Sequence, residues 1–530
     1  MRAGIDLSLP GDGERVSERR IFLAAALVGA AVVLAYGPWQ VPLLEDNQHY
    51  FFMAERLADG VPPHVSNFDP KNMLSVLVSG LGIGAGRWLG LSDVAASRIP
   101  SAAAFALAVG TLALFAWRAV GSLVAAGTTA LVLGALHYLP LMTASGNRPK
   151  VYLLLFMAAS LLFLTRERWR ASTVAASLGF LTWQPALLLV GSVLATHGIT
   201  KRDPGQLVRL VVVAALPVAA YEAWFALRGA LEEQLTQAYL FPTRHMTGQF
   251  EGLGESLSGL ARYWGWGFSV DALGIELTWL LPALFVVAAA VVAVRLARRV
   301  AAPGEPIRDR IRRRPALLHF GLSMAGAFAF TLYDANGAPD FFFVFPFAAV
   351  VVGAGVATLA GWAERAGPPR SGSVLAAGVA GLLLFVTAAG AREAYLHPFD
   401  LDDQRRLGRR VGTWLDAGRS VYAVGTTHLL ALERAPNWMP YSYFFRGLPS
   451  YLRERTGRSR FVPRRDGELP DVVLTSRSYP PGWPAWLREA GYRDVTDAAF
   501  EAQDIRAWRR TSRREDASAA AGAASALRSP

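Results

Sequence analysis

The chain has 530 residues, 53% of them hydrophobic, with a mean hydropathy of +0.29, a formal net charge of +12 and an isoelectric point near 10.1. Such apolarity excludes an ordinary soluble protein. In a membrane chain the basic excess reads as arginine-rich loops meeting anionic headgroups, not as nucleic-acid binding. The absence of cysteine excludes disulfides, thiolate metal sites and a cysteine nucleophile.

Residues 1–20 form a tail whose Arg15, Arg19 and Arg20 place it on the cytoplasmic side. No small-residue cleavage site follows, so the next apolar run is read as an uncleaved first span. Apolar segments lie near 21–44, 94–118, 122–140, 150–165, 172–196, 205–228, 272–297, 315–333, 340–362 and 373–391. Arg118, the group Arg166, Arg168 and Arg170, Lys201 with Arg202, the run from Arg295 to Arg314, and Arg365 with Arg370 all mark cytoplasmic connections.

Segment 172–196 then has cytoplasmic flanks at both ends, which a single crossing does not allow. Thr182-Trp183-Gln184-Pro185 interrupts it, and proline removes a helical donor. Two short helices joined there restore the parity. The expectation is a mainly α, polytopic membrane helix bundle of about eleven spans over 21–392, with outer loops 45–93 and 229–271. The N-terminus is expected inside and the C-terminus outside, in a bacterial inner membrane. Residues 397–512 alternate strand-like runs (Ser420–Val424, Asp471–Thr475) with helix-like ones (403–416, 484–490), which predicts a small extracytoplasmic α/β domain. Residues 513–530, rich in Ala, Ser and Gly, are expected to be disordered.

The first outer loop carries Glu45, Asp46, His49, Tyr50, Glu55, Asp59, His64, Asp69 and Lys71. Carboxylates at a bilayer mouth are expensive without a purpose. Asp46 to Leu57 has helical spacing, with Tyr50, Met53, Ala54 and Leu57 as an apolar stripe and Asn47, Glu55 and Arg56 off it, so a helix lying on the membrane surface is predicted. Asp46, supported by Glu45, is the candidate general base. Both also suit first-turn acids favoured by a helix dipole. Lys71 precedes a second amphipathic stretch, 73–89, and suits either a phosphate contact or interfacial snorkelling.

Arg148 and Lys150 stand in an outer connection against the positive-inside tendency, which points to an anionic ligand. Arg244 and His245 in loop 229–271 are further candidates for a lipid phosphate, beside aromatic residues (Trp264, Trp266) suited to interfacial anchoring. Tyr333 and Asp334, with Asp340, lie in a tight outer turn that faces the site or simply caps the next span. No cofactor is expected. A divalent cation on Asp46, His49, His64 and Asp69 is conceivable, but the spacing matches no strong metal motif. There is no Walker loop, dinucleotide turn or G-x-S-x-G elbow.

Asp46, Tyr50, Ala54, Leu57 and Gly60 resemble the acidic opening of GT-C membrane glycosyltransferases, more specifically the protein O-mannosyltransferase and aminoarabinose-transferase group, glycosyltransferase family 39 and its relatives. Asp69-Pro70-Lys71 loosely resembles the group's H-P-P segment, and Gly90 to Arg98-Ile99-Pro100 its entry into the second span. The departures are Asn47 in place of a second acid and a single proline, not a double one, in the Asp69-Pro70-Lys71 segment. The resemblance covers about 20–390. It implies inverting transfer of a sugar from a polyprenyl-phosphate-linked donor to a lipid, glycan or protein acceptor on the outer face. Asp46 would then be the base. Lys71, Arg148, Lys150, Arg244 and His245 would lie at the donor phosphate, and His49, Tyr50, Asp69, Tyr333 and Asp334 along the substrate. Membrane lipids are the surrounding partner and nucleic acid is not one. The rival reading is a transporter or flippase of a lipid-linked or anionic substrate, which the broken segment 172–196 favours.

Overall fold

The computed structural model describes residues 17–246, 254, 258, 271–272, 275–276, 279–301, 309, 312–333, 338–443, 447–456, 469–476 and 483–511. Helix α1 (Glu18–Ala35) starts at Ser17, whose hydroxyl accepts from Arg20 N, and runs antiparallel along α5 (Asp93–Val120). Between them, α2 (Asp46–Ala58), α3 (Pro63–Ser66) and α4 (Leu74–Trp88) fill the first long connection. Helix α5 begins on the Ser92 cap and stops at Gly121, whose φ of 75° suits a residue without Cβ.

α6 (Leu123–Ala135) and α7 (Tyr138–Ser145) are bent by 63° at Leu136–His137, so the apolar segment expected at 122–140 is broken. Then come α8 (Pro149–Leu164), α9 (Trp169–Thr182), α10 (Leu187–Thr200) and α11 (Pro204–Leu227). The expected break in 172–196 is present: Trp183 is extended, a 3-10 turn covers Gln184–Ala186, and α9 packs against α10.

A π-helical turn, Thr236–Leu240, separates two short helices, Leu231–Leu235 and Phe241–His245. After them a two-residue pair, β1 (Asp271–Ala272) with β2 (Ile275–Glu276), precedes helices Leu280–Ala301, Pro315–Tyr333, Phe345–Ala366 and Ser371–Tyr395. Trp264 and Trp266 lie outside the described residues.

Six of the described helices are long and apolar enough to cross a membrane, or seven with the bent α6–α7 pair. The expected count of about eleven is larger because several apolar runs fold into shorter helices. α8 (16 residues) and Gln184–Thr200 fall below the ~20 residues that a 30 Å hydrocarbon core asks for. The bundle is tied by small residues: a Cβ on Gly353 would stand 2.4 Å from Thr129 Oγ1 and 2.5 Å from Ala125 O, so α6 and Phe345–Ala366 touch backbone to backbone.

The C-terminal segment opens with helix Leu401–Asp416, fixed by a reciprocal Asp400–Asp403 capping box. It builds a four-stranded sheet in the order β3 (Val421–Val424), β4 (Val472–Ser476), β6 (Ile505–Arg510), β5 (Tyr492–Asp494). β3 and β4 are parallel, with Val421 opposite Val472; β6 is antiparallel to both its neighbours.

This segment is not a pendant. Leu43, Phe51, Met53 and Val76 share one apolar core with Leu401, Leu407, Leu429 and Leu474. Helix α2 is therefore enclosed between α4 and helix His428–Leu432, where a surface helix was expected. Asn47 and Glu55, which lie off the apolar stripe of α2, are fully buried. One polar atom of each is met by a neighbour: Asn47 Nδ2 donates to Met142 O at 2.9 Å, and Arg87 donates to Glu55 Oε1 at 3.0 Å.

Candidate active site

Helix α2 begins at Asp46 itself. The residue before it, Glu45, has φ 46° and ψ −132°, a conformation costly for any residue with a Cβ. It is imposed by a stitched frame. Leu44 N donates to Ser145 Oγ at 2.7 Å, and Ser145 Oγ donates to Pro42 O at 2.8 Å. Arg98, fully buried in α5, donates from Nη2 to Val41 O and to Ser145 O, each at 2.8 Å, and from Nη1 to Pro38 O. An arginine satisfied by main-chain carbonyls binds the segment before Asp46 to the segment before Arg148.

On that frame the carboxylate of Asp46 meets two cations from separate elements. Arg148 Nη2 lies 3.4 Å and Lys71 Nζ 3.7 Å from Asp46 Oδ2. Arg148 also approaches Glu45 Oε2 at 3.7 Å, and Tyr138 donates to the same oxygen. Lys71 Nζ donates to Tyr50 OH at 2.8 Å, and its backbone N to Asp69 Oδ1 at 2.8 Å. Burial pushes the Asp46 pKa up, but Arg148, then Lys71, His49 and Lys150, outweigh it and hold the carboxyl far below the usual carboxylate range. Burial likewise pulls the Lys71 ammonium down, and Tyr50, Asp46 and Asp69 more than restore it, so it stays charged. The field of Asp46, with burial, pushes the Tyr443 phenol up to about 12.

Behind this cluster His49 and Asn67 link Asp69 to Ser442. His49 Nε2 is 3.0 Å from Asp69 Oδ2, and its Nδ1 is 3.2 Å from Ser442 Oγ in the C-terminal segment. Asn67 Nδ2 lies 2.8 Å from the His49 ring, and Ser442 Oγ donates to Asn67 Oδ1. His64 meets Gln237 Oε1 at 3.1 Å rather than a carboxylate, and burial pushes its pKa down to about 4. The same Gln237 oxygen, in the π-helical turn, accepts from Asp69 N at 3.1 Å. Lys150 pairs with Asp340 and sits 4.3 Å above the Trp183 ring. Among the described residues no three His, Asp or Glu side chains form a metal-holding group.

The structure thus gathers Glu45, Asp46, His49, Tyr50, Asp69, Lys71 and Arg148 into one cluster, with Lys150 near enough for its charge to act on Asp46. It does not bring Arg244 and His245 there. Arg244 is exposed, and His245 contacts Ser450 Oγ (3.3 Å) and Glu454 Oε2 (3.4 Å). Tyr333 is half exposed at the end of its helix, and Asp334 lies outside the described residues.

Sequence reasoning passed over Tyr138, Asn67, Ser442 and Tyr443. Tyr138 sits inside an apolar run, and the last two are almost 400 residues from Asp46, with no local signal. It also passed over Asn147, the residue before Arg148. Asn147 is fully buried, and among the described residues neither its amide oxygen nor its nitrogen has a partner; Arg148 Nη1 has none either. Unmet buried groups cost about 1–3 kcal/mol each, and here they adjoin the Asp46 carboxylate and its two cations. Chemically, the site can hold an anion on Lys71 and Arg148 and hydrogen-bond a polyhydroxylated group beside an ionised carboxylate.

No protein-family model matches the chain, and no curated protein matches it. The fold is similar to that of solved structures of ArnT from Cupriavidus metallidurans. Bound to undecaprenyl phosphate, that protein superposes with a TM-score of 0.58 at 17% identity, over 93% of this chain and 98% of its own. In the apo state it gives 0.58 and 17% over 92% and 97%. The likeness spans the helical bundle and the C-terminal sheet together.

Proposed function

We propose that the chain is a membrane glycosyltransferase of the GT-C kind, which moves a sugar from a polyprenyl-phosphate carrier to an acceptor hydroxyl. The observation that carries this reading is the Asp46 carboxylate set 3.4 Å from Arg148 and 3.7 Å from Lys71. A base and a pair of anion-binding cations are what such a transfer asks of a protein. Two further lines support it. The sequence around Asp46 resembles the aminoarabinose-transferase group, and the fold is similar to that of a protein crystallised with undecaprenyl phosphate.

In the proposed step the acceptor O–H gives its proton to Asp46 as its oxygen attacks the anomeric carbon. The bond from that carbon to the phosphate oxygen breaks, and the electron pair leaves with the polyprenyl phosphate. The anomeric configuration inverts. Lys71 and Arg148 neutralise the charge that grows on the leaving phosphate. They also govern the base. In the resting site they depress its basicity; once they turn to the donor phosphate, Asp46 recovers affinity for a proton when the acceptor is in place. The unpartnered Asn147 amide offers its two N–H donors and its carbonyl oxygen to sugar hydroxyls. The active face is the extracytoplasmic one of a bacterial inner membrane, with the N-terminus cytoplasmic.

The test is Asp46→Asn in purified protein incubated with radiolabelled polyprenyl-phospho-sugars. Product formation is expected to cease while the donor lipid still binds. Undiminished turnover would remove Asp46 as the base. Movement of intact lipid across proteoliposomes with no glycosylated product from the wild type would move the chain to the transport reading.

A further inference from the structure

The ends of α1, α5 and α8 remote from Asp46 enclose a second feature that the transfer reaction does not use. Arg98 and Arg118 are 20 residues apart on α5, about 30 Å along a helix. Arg98 holds the Asp46 frame; Arg118 reaches the opposite end, where it donates to Glu18 at 3.0 Å from Nε. Arg166, just past α8, also pairs with Glu18. Here the helix ends leave a cleft of about 230 Å³. Its walls are apolar on the bundle side, where Phe22, Leu114 and Leu162 line it, and basic at the rim, where Arg19, Arg118, Arg166 and Arg168 meet. Glu18 is the sole acid among the lining residues, so the cleft carries a surplus of three positive charges.

Arg118 and Arg166 are held by Glu18. Arg19 and Arg168 are exposed, and neither makes an ion pair among the described residues. Four guanidinium groups lining one cleft with a single carboxylate repel one another unless an anion joins them. The cleft is smaller than the 300–1,000 Å³ usual for a whole drug-sized ligand. It is the right form for a charged head whose chains lie outside, along the apolar helix faces. Exposed Leu23, Leu27 and Leu107, on α1 and α5, provide such faces. A free anion would have no use for the apolar wall.

We propose that this cleft is a binding site for the headgroup of an anionic phospholipid, in the membrane leaflet opposite the Asp46 cluster. The phosphodiester meets Arg19 and Arg168 directly, while the Glu18–Arg118–Arg166 set fixes the rim. The lipid ties α1, α5 and α8 together at the end remote from the α1–α5 connection.

The experiment uses the full-length protein in detergent, titrated with phosphatidylglycerol or with phosphatidylcholine of the same chains, with bound lipid read by native mass spectrometry. The wild type is expected to retain phosphatidylglycerol in preference to phosphatidylcholine. Arg19→Gln with Arg168→Gln should weaken the anionic lipid by about fivefold per arginine removed and leave phosphatidylcholine unchanged. A control pair, Arg170→Gln with Arg209→Gln, removes two exposed charges outside the cleft and should leave binding as in the wild type. Equal retention of the two lipids by the wild type, or equal losses from the cleft pair and the control pair, would overturn the site. Both variants change exposed side chains. A thermal melt equal to that of the wild type in phosphatidylcholine certifies their folding, and Arg19→Lys with Arg168→Lys, which keeps the charge, provides a rescue should the melt differ.

Discussion

Arg148 Nη2 stands 3.4 Å from Asp46 Oδ2, and the two residues are the N-cap of one helix and the first residue of another, 102 positions apart. Arg148 is almost fully buried, so its charge acts on Asp46 with little screening by water. Among the groups that hold the Asp46 carboxyl down, Arg148 is the strongest.

That ranking sets the pH behaviour. In the wild type Asp46 stays ionised well below pH 4, so the acid side of the kcat/KM profile should show no limb from this group. Removing the guanidinium leaves burial, which favours the neutral acid, opposed mainly by Lys71. In Arg148→Gln the pKa of Asp46 therefore rises, and activity should fall as the pH is lowered through it. The profile from pH 4 to 9 is the measurement; its shape, not its height, is diagnostic, because Arg148 also serves the phosphate. An acid limb identical in the two proteins would detach Asp46 from the rate.

Arg98 makes a different demand. Its fork reaches three carbonyls, of Pro38, Val41 and Ser145. Lysine is a point charge and does not span them. Arg98→Lys should keep the protein in the membrane yet lower kcat by about 10²-fold, the scale of a 1 Å misplacement, with a smaller change in KM for the donor. A loss confined to thermal stability, with kcat intact, would make Arg98 a purely structural residue.

Glu55 supplies a stability prediction. It is fully buried, and burial, followed by the charge of Asp59, raises its pKa from 4.5 to about 8 in spite of Arg87. Below about pH 4.5 the carboxyl is protonated in both folded and unfolded chains. Between that value and 8 the folded protein holds a proton that the unfolded one releases. Stability from this group is thus complete at the acid end and is lost as the pH rises through 8. The shift corresponds to a few kcal/mol. Thermal melts from pH 5 to 8.5 should show a decline that Glu55→Gln flattens; a decline of equal slope in the variant would assign it elsewhere.

Legibility in the sequence followed the range of the interaction. The first-loop helix, the break at Trp183 and the alternation of strands and helices after Asp400 depend on nearest neighbours, and each is present. Asp46, Lys71 and Arg148 were identifiable because charge at a membrane edge is conspicuous wherever it sits. The enclosure of α2 was not readable. It depends on Leu429 and Leu474 arriving from the far end of the chain, and an amphipathic pattern of thirteen residues cannot tell lipid headgroups from a docked domain. The count of about eleven spans is not matched among the described residues, where six or seven helices have the length and apolarity to cross, because a short apolar helix such as α8 is buried against protein.

Bundle packing offers the last prediction. A Cβ on Gly353 would lie 2.4 Å from Thr129 Oγ1 and 2.5 Å from Ala125 O, the second a backbone atom that cannot turn aside. Gly353→Ala should therefore destabilise by about 1–3 kcal/mol, the cost of overpacking, even though alanine is the better helix former. Thr129→Ala on top of it removes only the hydroxyl clash and should restore part of the loss. Gly378→Ala, where nothing stands within 4 Å, isolates the propensity term and should be neutral or slightly stabilising. Melting temperatures in one detergent decide the matter. If Gly353→Ala melts with Gly378→Ala, then α6 and Phe345–Ala366 are not in backbone contact, and the close helix crossing built on small residues is wrong.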